Sequence, residues 1–310
     1  MESMRILLVA GGWSTEREIS LKGARGIAEA LSERGHRVTL FDLSDGFERL
    51  LALANEHDVA FLNLHGQPGE DGLAQALLDR AGCPYQGAGP AGSFLALNKA
   101  AAKALFRRAG IRTPDYVFLP QRPEPGWTPD LPFPLFVKSN TGGSSIDLFR
   151  ITGREELDAA LDELFGKRQE VLIEELIPGR EVTCGVIGVQ GREKALPPVL
   201  IVPKREFFDF HDKYAVGGAD EICPAPLDAE TTARVQEAAL AAHRCLGLSG
   251  CSRADFRLRD DGALFILEVN TLPGMTGASL VPKEAAAIGL SFGELLETLL
   301  AGALEERRRG

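Results

Sequence analysis

Cysteine is sparse: Cys83, Cys184, Cys223, Cys245 and Cys251 are the five in 310 residues, and no two form a Cys-x-x-Cys pair. That scatter excludes a disulfide framework and a thiolate zinc site, and it reads as reduced, mostly buried thiols of a cytoplasmic protein. No apolar run approaches the roughly 18 residues of a membrane span. The first residues, Met1 to Gly12, lack a basic start before a long apolar core, so no export is expected. Positive charge is also short, with 34 Lys and Arg against 44 Asp and Glu for a formal net charge of −10. That balance argues against a sequence-independent grip on nucleic acid or an anionic membrane, although a local basic site for a phosphate ligand is compatible with it. There is no internal repeat and no low-complexity segment. What is present, 45% hydrophobic and 25% charged residues, is the composition of an ordinary soluble globular protein. The length suits two or three domains.

The first stretch alternates strand and helix patterns. An apolar run from Arg5 to Ala10 ends in Gly11-Gly12, and a helix pattern follows from about Ser20 to Arg34. Then come a strand at Val38 to Phe41, a helix at about Phe47 to Asn55 and a strand at Val59 to Leu64. Such a β-α-β-α-β series implies a parallel, Rossmann-like sheet, in which ligands bind beyond the carboxyl ends of the strands. Two loops leave those ends, Gly11 to Glu18 and His65 to Gly72. The first lacks the dinucleotide fingerprint, which argues against a nicotinamide dehydrogenase. Glu16 within it reads equally as a ligand contact or as an acid favoured by the dipole at a helix start. His65 reads first as a hydrogen-bonded loop histidine.

Further on, Gly92 to Gly110 reads as one helix, with Lys103 a solvated charge. A connection with six prolines between Pro120 and Pro134 precedes an apolar strand ending at Lys138. The Lys138-Ser139-Asn140-Thr141-Gly142-Gly143-Ser144-Ser145 stretch can turn backbone N–H groups inward as an anion nest, or be a plain Gly/Ser turn. It is not a Walker A loop, because no Gly-Lys-Ser/Thr opens a helix. A helix is expected over Arg154 to Leu164, and strands at Glu170 to Ile177, Glu181 to Val189 and Ala195 to Val202. A structureless loop of functional character is expected from about Pro203 to Leu227, then helices at Asp228 to Leu246 and from Ser291 onward.

The densest chemistry lies between Arg253 and Leu280. Asp261-Gly262 between two alternating runs is a strong hairpin signal. A two-residue loop there sets Asp260 against Ala263, Asp255 against Glu268 and Arg253 against Asn270. All four of these last residues then share one face, while Ala254, Phe256, Leu267 and Val269 cover the other. Two carboxylates directly opposite each other repel, so they need positive charge between them. Oxygen ligands with no Cys or His nearby point to Mg²⁺ shared with a nucleotide's phosphates. The Asn270 to Thr276 turn beside them offers backbone N–H groups of the kind that stabilise an oxyanion.

Taken together, the motifs resemble the D-alanine–D-alanine ligase family of ATP-grasp enzymes. The resemblance is carried by Gly11-Gly12-x-Ser14-x-Glu16-x-Glu18-x-Ser20-Leu21, His65-Gly66 with Gly69-Glu70-Asp71-Gly72, and Lys138 with Gly143-Ser144-Ser145. It continues through Lys213-Tyr214, Arg253-x-Asp255, Glu268-x-Asn270-Thr271-x-Pro273-Gly274-Met275-Thr276 and Ser279-Leu280-Val281-Pro282, so it spans essentially the whole chain. It implies an α/β domain at 1–92 on the side of the first substrate, a central ATP-grasp part at 93–180 and a catalytic, metal-binding part at 181–310. The implied reaction joins two D-alanines through a D-alanyl phosphate, with ATP as co-substrate and two Mg²⁺ ions, or Mn²⁺, as cofactors, for peptidoglycan synthesis. A homodimer is implied too.

The resemblance also implies roles. Asp255, Glu268 and Asn270 would hold the metal ions, with Glu268 bridging. Lys99, Lys138 and the Ser145 loop would contact ATP phosphates, with Lys213 near the transferred group. Glu174 and the backbones of Glu175 and Ile177 would read adenine, and Glu181 the ribose. Glu16, linked to Ser144 and Tyr214 with His65 nearby, would meet the first D-alanine's ammonium. Arg253 and the Gly274 N–H would stabilise the oxyanion, and Ser279 and Leu280 would hold the second carboxylate. The chain departs from the family pattern at Ser139, Asp147 and Glu175, and Asp147 puts a negative charge beside the phosphate loop. A neutral Tyr214 suits an incoming ammonium, so D-alanine is expected as acceptor. D-serine or D-lactate ligation and a non-catalytic ATP-binding protein are the alternatives.

Overall fold

The computed structural model describes residues 2–143, 147–204 and 218–309. Ser144, Ser145, Lys213 and Tyr214, with the centre of the loop expected from about Pro203 to Leu227, lie outside the described residues.

The first of three sheets is parallel, in the order β2-β1-β3, from β1 (Arg5–Ala10), β2 (Arg37–Asp42) and β3 (Val59–Asn63). Alternation along β1 splits its side chains between two cores. Ile6 and Leu8 pack with Ala24, Ile27 and Leu31 of α1 (Arg17–Glu33). Leu7 and Val9 pack with Leu50 of α2 (Phe47–Ala54) and Leu78 of α3 (Leu73–Ala81). A strand covered on both faces has no polar side, which is why β1 reads as a continuous apolar run. Helix α1 begins earlier than the pattern suggests because Ser20 is an interior bridge. Its Oγ accepts from Gly11 N at 2.8 Å and donates to Asn63 O, pinning the helix to the ends of two strands.

The helix expected from Gly92 to Gly110 is two, α4 (Pro90–Leu97) and α5 (Lys99–Arg108). Asn98 breaks it: its backbone is extended, and its side chain caps α5 by accepting from Ala101 N at 3.0 Å. An antiparallel sheet follows in the order β4-β7-β5-β6, from β4 (Tyr116–Leu119), β5 (Leu135–Ser139), β6 (Leu148–Ile151) and β7 (Val171–Glu175). Leu157, Leu161 and Leu164 of α6 (Arg154–Gly166) pack with its Val137, Val171 and Ile173.

The third sheet runs β11-β10-β8-β12-β13, with β9 also paired to β8. Its strands are β8 (Arg180–Gly188), β9 (Lys194–Ala195), β10 (Val199–Pro203), β11 (Ala219–Ile222), β12 (Gly250–Leu258) and β13 (Leu264–Asn270). The single strand expected at Ala195 to Val202 is therefore two. The expected structureless loop is overturned at Ala219–Ile222, which pairs antiparallel with β10 from Pro203↔Ala219 to Leu200↔Ile222. Helix α7 (Ala229–Cys245) covers the apolar face of this sheet.

At the β12–β13 tip, Arg259 N donates to Ala263 O at 2.9 Å and Gly262 N to Arg259 O at 3.0 Å. The loop thus has three residues, with Gly262 left-handed at φ +81°, rather than the expected two. That moves the pairing by one residue, to Phe256↔Ile266. A bulge at Leu267 moves it back, so the site keeps Asp255↔Glu268 and Arg253↔Asn270. The inward apolar place expected for Leu267 is taken by Ile266, which is wholly buried.

Two C-terminal helices close the molecule. The pattern does not reveal α8 (Leu280–Ala287), which is short and carries Pro282 in its first turn, where proline is tolerated. Leu295, Leu296, Leu299 and Leu300 of α9 (Phe292–Arg309) join the core beneath β1 and α1. No single helix among the described residues is long and apolar enough to cross a membrane.

Candidate active site

The polar face of the third sheet is built by strand alternation. Thr183 stands opposite Asp255 and Gly185 opposite Arg253 across β8 and β12, with Glu268 and Asn270 on β13 beyond. Arg253 grips Asp255 with two bonds, Nε to Oδ1 at 2.8 Å and an Nη to Oδ2 at 2.7 Å. Thr183 Oγ1 donates to Asp255 Oδ1 at 2.5 Å and Asn270 Nδ2 to Oδ2 at 3.0 Å. Glu268 pairs with Lys99 Nζ at 3.3 Å, and that ammonium also donates to Gly142 O at 2.6 Å. The opposed carboxylates are thus kept together by two cations, one from each side. The donor set, two carboxylates and an amide, is all hard oxygen and fits a cation such as Mg²⁺.

Lys99 is delivered by the first turn of α5, and the stretch after β5 secures that turn. Asn140 is wholly buried; its backbone oxygen accepts from Lys99 N at 3.0 Å and its Oδ1 from Ala100 N at 2.9 Å. Its Nδ2 donates to Glu170 at 2.9 Å. Asn140 therefore supplies acceptors that helix-start donors need. Asp147 adopts φ +57°, a left-handed backbone in which Asp is among the few non-glycine residues tolerated. Its carboxylate meets Lys167 at 2.5 Å and Gln169 at 3.0 Å, so its charge is compensated. Burial raises its pKa, but those bonds outweigh burial and hold it low.

Across β5 and β7 the register Phe136↔Glu174 puts Lys138 diagonally beside Glu174 on one face. Lys138 Nζ lies 2.6 Å from Glu174 Oε2, and Lys103 Nζ lies 2.6 Å from Oε1. Lys103 is wholly buried, which corrects its reading as a solvated charge. Its other partner is Thr113 Oγ1 at 2.6 Å. Burial raises the Glu174 pKa, but the two ammonium groups outweigh burial and hold the pKa below the ordinary range. Next to it, the Glu175 N–H is engaged with Asp115 O at 2.9 Å, so any nucleotide contact from that peptide falls to its carbonyl. Arg257 donates to Ile177 O at 3.2 Å and lies 3.6 Å from Glu181.

On the side of the first sheet, Glu16 occupies the N-cap position of α1, yet its side chain does not cap the helix. Burial pushes the His65 imidazole below its ordinary pKa; Glu16 opposes this and Arg253 adds to it. Glu70 lies in the loop after β3. Burial raises its pKa to about 7, the Gly66 N–H opposes this at 2.9 Å, and Glu16, Lys99 and Glu268 all act on it. The N-terminal loops and the hairpin therefore share one electrostatic field.

The Asn270 turn leads to α8. Ser279 Oγ accepts from Thr276 N at 3.0 Å and lies 2.9 Å from Thr276 Oγ1. A Cβ at Gly274 would come to 3.2 Å from that Oγ, so a side chain here would press the Ser279 hydroxyl aside by a few tenths of an ångström. Leu280 is the first residue of α8, whose positive end suits a carboxylate. One turn on, Glu284 is wholly buried, with both oxygens on Gly185 N at 2.9 and 3.1 Å. Glu284, Lys103, Thr183 and Asn140 carry no sequence signal beyond being polar residues at places the folded chain buries.

Comparison with known proteins agrees with this geometry. Residues 105–301 match the family model described as D-ala D-ala ligase C-terminus. The chain is 59% identical to the D-alanine–D-alanine ligase of Desulfovibrio desulfuricans, covering 99% of each chain. It is 61% identical to that of Nitratidesulfovibrio vulgaris, covering 96% of this chain and 97% of the other. Among solved structures it resembles the Bacillus anthracis D-alanine–D-alanine ligase complexed with ATP, with a TM-score of 0.87, 34% identity and 99% of each chain covered. It also resembles the VanG D-Ala:D-Ser ligase of Enterococcus faecalis, with a TM-score of 0.83, 29% identity, 97% of this chain and all of the other.

Proposed function

The chain belongs to the D-alanine–D-alanine ligase family of ATP-grasp enzymes, and from that premise we propose how its residues share the work of joining two D-alanines at the expense of ATP. The product serves peptidoglycan synthesis. The observation that carries the reading is the Asp255–Glu268 pair, opposed on neighbouring strands and flanked by Arg253 and Lys99.

A carboxylate is a poor acyl donor, because amine attack would have to expel oxide. Transfer of the γ-phosphoryl group from ATP to the first D-alanine makes phosphate the leaving group. Such transfer is mainly positioning and charge neutralisation. Asp255, Glu268 and Asn270 would hold two Mg²⁺ ions, with the nucleotide's phosphates completing the shells. When bound, the ions would neutralise charge on the phosphates during transfer. Lys99 would then exchange Glu268 for phosphate, and Lys138 would exchange Glu174. Glu174, the Glu175 carbonyl and Ile177 would receive adenine, and Glu181 the ribose.

Glu16 would take the first D-alanine's ammonium, with His65 and Glu70 beside it. Arg253 and the Gly274 N–H would hold the oxyanion formed when the second amine attacks. Ser279 and the positive end of α8 at Leu280 would orient the acceptor's carboxylate. Ser144, Ser145, Lys213 and Tyr214 keep the roles expected of them within this reading. So do the division at 1–92, 93–180 and 181–310, a homodimeric state and a cytoplasmic location.

The test offers D-alanine and D-lactate together at pH 7 with ATP and Mg²⁺, and identifies the product by mass. D-Alanyl-D-alanine with stoichiometric phosphate is expected, and mostly depsipeptide would overturn the acceptor assignment. Glu268→Gln should lower turnover by at least about a hundredfold without unfolding the protein, because it removes charge needed in transfer. Near-normal turnover at ordinary Mg²⁺ would overturn the metal role.

A further inference from the structure

We infer that Lys103 is a positioning residue for nucleotide selection, a fixed counter-ion that holds Glu174 in place and thereby leaves Lys138 free to serve phosphate. The inference rests on the nucleotide role proposed above for Glu174 and Lys138, and it assigns a residue outside that set.

The two lysines differ in how they are held. Lys103 Nζ is enclosed: its side chain is 0% exposed, against 14% for Lys138. Besides Glu174, Lys103 donates to Thr113 Oγ1 at 2.6 Å, and its ammonium lies 5.9 Å from the Tyr116 ring centre. Lys138 reaches the same carboxylate from the more open side. One carboxylate with two ammonium groups leaves one positive charge in surplus. That surplus is available to a nucleotide only if the inner lysine alone can satisfy Glu174. With Lys103 removed, Glu174 is a buried anion with a single cation, and Lys138 is held on it. With Lys103 present, Lys138 can leave at little cost.

Lys103 also fixes where the Glu174 carboxylate sits relative to the metal-bearing strand. Thr113 Oγ1 accepts from Lys103 and donates to Ile266 O at 2.8 Å. Ile266 immediately precedes the Leu267 bulge and Glu268. The series Glu174, Lys103, Thr113, Ile266 therefore spans from the second sheet to the third, between the residues proposed for the base and those proposed for the phosphates. A carboxylate fixed this way can accept from the exocyclic amine of adenine and repels the carbonyl oxygen that hypoxanthine carries at the same place.

The experiment compares ATP with ITP, which differ at that position, in wild type and in Lys103→Met, Lys138→Met and Thr113→Val. The wild type should favour ATP strongly. In Lys103→Met the KM for ATP should rise and the ATP/ITP ratio of kcat/KM should fall, each by about tenfold or more, since a hydrogen-bonding selector has been displaced. Thr113→Val, which keeps every charge, should lower the ratio by about threefold or more, because it removes both hydrogen bonds that tie Lys103 to β13. Lys138→Met should weaken both nucleotides alike and hold the ratio within about twofold, because phosphate contacts do not read the base. Where a variant is too slow to assay, the relative binding of ADP and IDP is read by calorimetry. If Lys103→Met fails to fold, Thr113→Val decides the matter. A ratio unchanged in a folded Lys103→Met, or in Thr113→Val where that variant decides, overturns the inference. A wild type that ignores the base, or that binds no nucleotide, overturns the proposed adenine role of Glu174 instead.

Discussion

His243 is wholly buried on α7, with Nδ1 2.7 Å from Ser252 Oγ, while Glu193 and Arg244 act on it from the same neighbourhood. Burial is the largest influence and lowers its pKa to about 4; Glu193 opposes this and Arg244 adds to it. The folded state therefore keeps the ring neutral, while the unfolded chain takes up a proton below its ordinary pKa of about 6.5. The stabilising contribution is whole above that value and is lost as pH falls from about 6.5 towards 4. Between pH 7.5 and 5 the loss from this one residue should be about 2 kcal/mol. Urea unfolding at the two pH values measures it, and His243→Gln should flatten the difference. An equal pH dependence in both proteins would mean that the ring is not the titrating group.

At the scale of elements, α8 is fixed to the third sheet through a gap in a ladder. Strand β9 ends at Ala195 and β10 begins at Val199, and opposite the gap Leu196 N still reaches Gly185 O at 2.8 Å. The Gly185 N–H is met by Glu284 of α8. Burial pushes the Glu284 carboxyl well above its ordinary pKa, against the pull of Arg253 and the Gly185 N–H. A Cβ at Gly185 would overlap Glu284 Oε2 and crowd Val281 of α8 at 3.3 Å, so glycine favours docking of the helix at this depth. Gly185→Ala should therefore displace α8 and, with it, Ser279 and Leu280. The KM for the second D-alanine should rise about tenfold while that for ATP changes little, because misplaced orienting groups affect the substrate they orient. Initial rates against each substrate measure this, and a larger effect on ATP would refute the link.

At the scale of the whole molecule, the C-terminal helix returns to the first sheet. Glu297 of α9 meets Arg34 at 2.5 Å and the buried His36 at 3.1 Å, and α9 shares a core with β1 and α1. The Arg34 and His36 bonds hold Glu297 ionised, against a raising effect of burial that ranks between the two. Glu297→Ala leaves two donors without their acceptor and should cost about 2 kcal/mol of stability. The melting temperature should fall by several degrees with kcat unchanged, since Glu297 is outside the active site. A drop in kcat without loss of stability would place Glu297 in the catalytic machinery.

The sequence by itself determined the alternating patterns. Strand period two put Arg253, Asp255, Glu268 and Asn270 on one face, and helix period laid α1, α7 and α9 against their sheets. The parallel first sheet was equally legible, because a β-α-β-α-β order permits little else. Even the Asp255–Glu268 register came out as expected, although by two offsets that cancel: a three-residue loop at Gly262 and a bulge at Leu267. A bulge has no period, so no pattern announces it. Asp147 looked like a misplaced charge until its left-handed backbone and its bond to Lys167 were seen. Lys103 reads as a solvated charge, and nothing local marks Asn140 or Glu284 as interior. Tertiary structure alone decided that they are buried, because burial depends on what arrives from elsewhere in the chain: Glu174 and Thr113 for Lys103, the start of α5 for Asn140, Gly185 for Glu284. Local sequence sets which way a side chain points, and only the packed fold sets what it meets there.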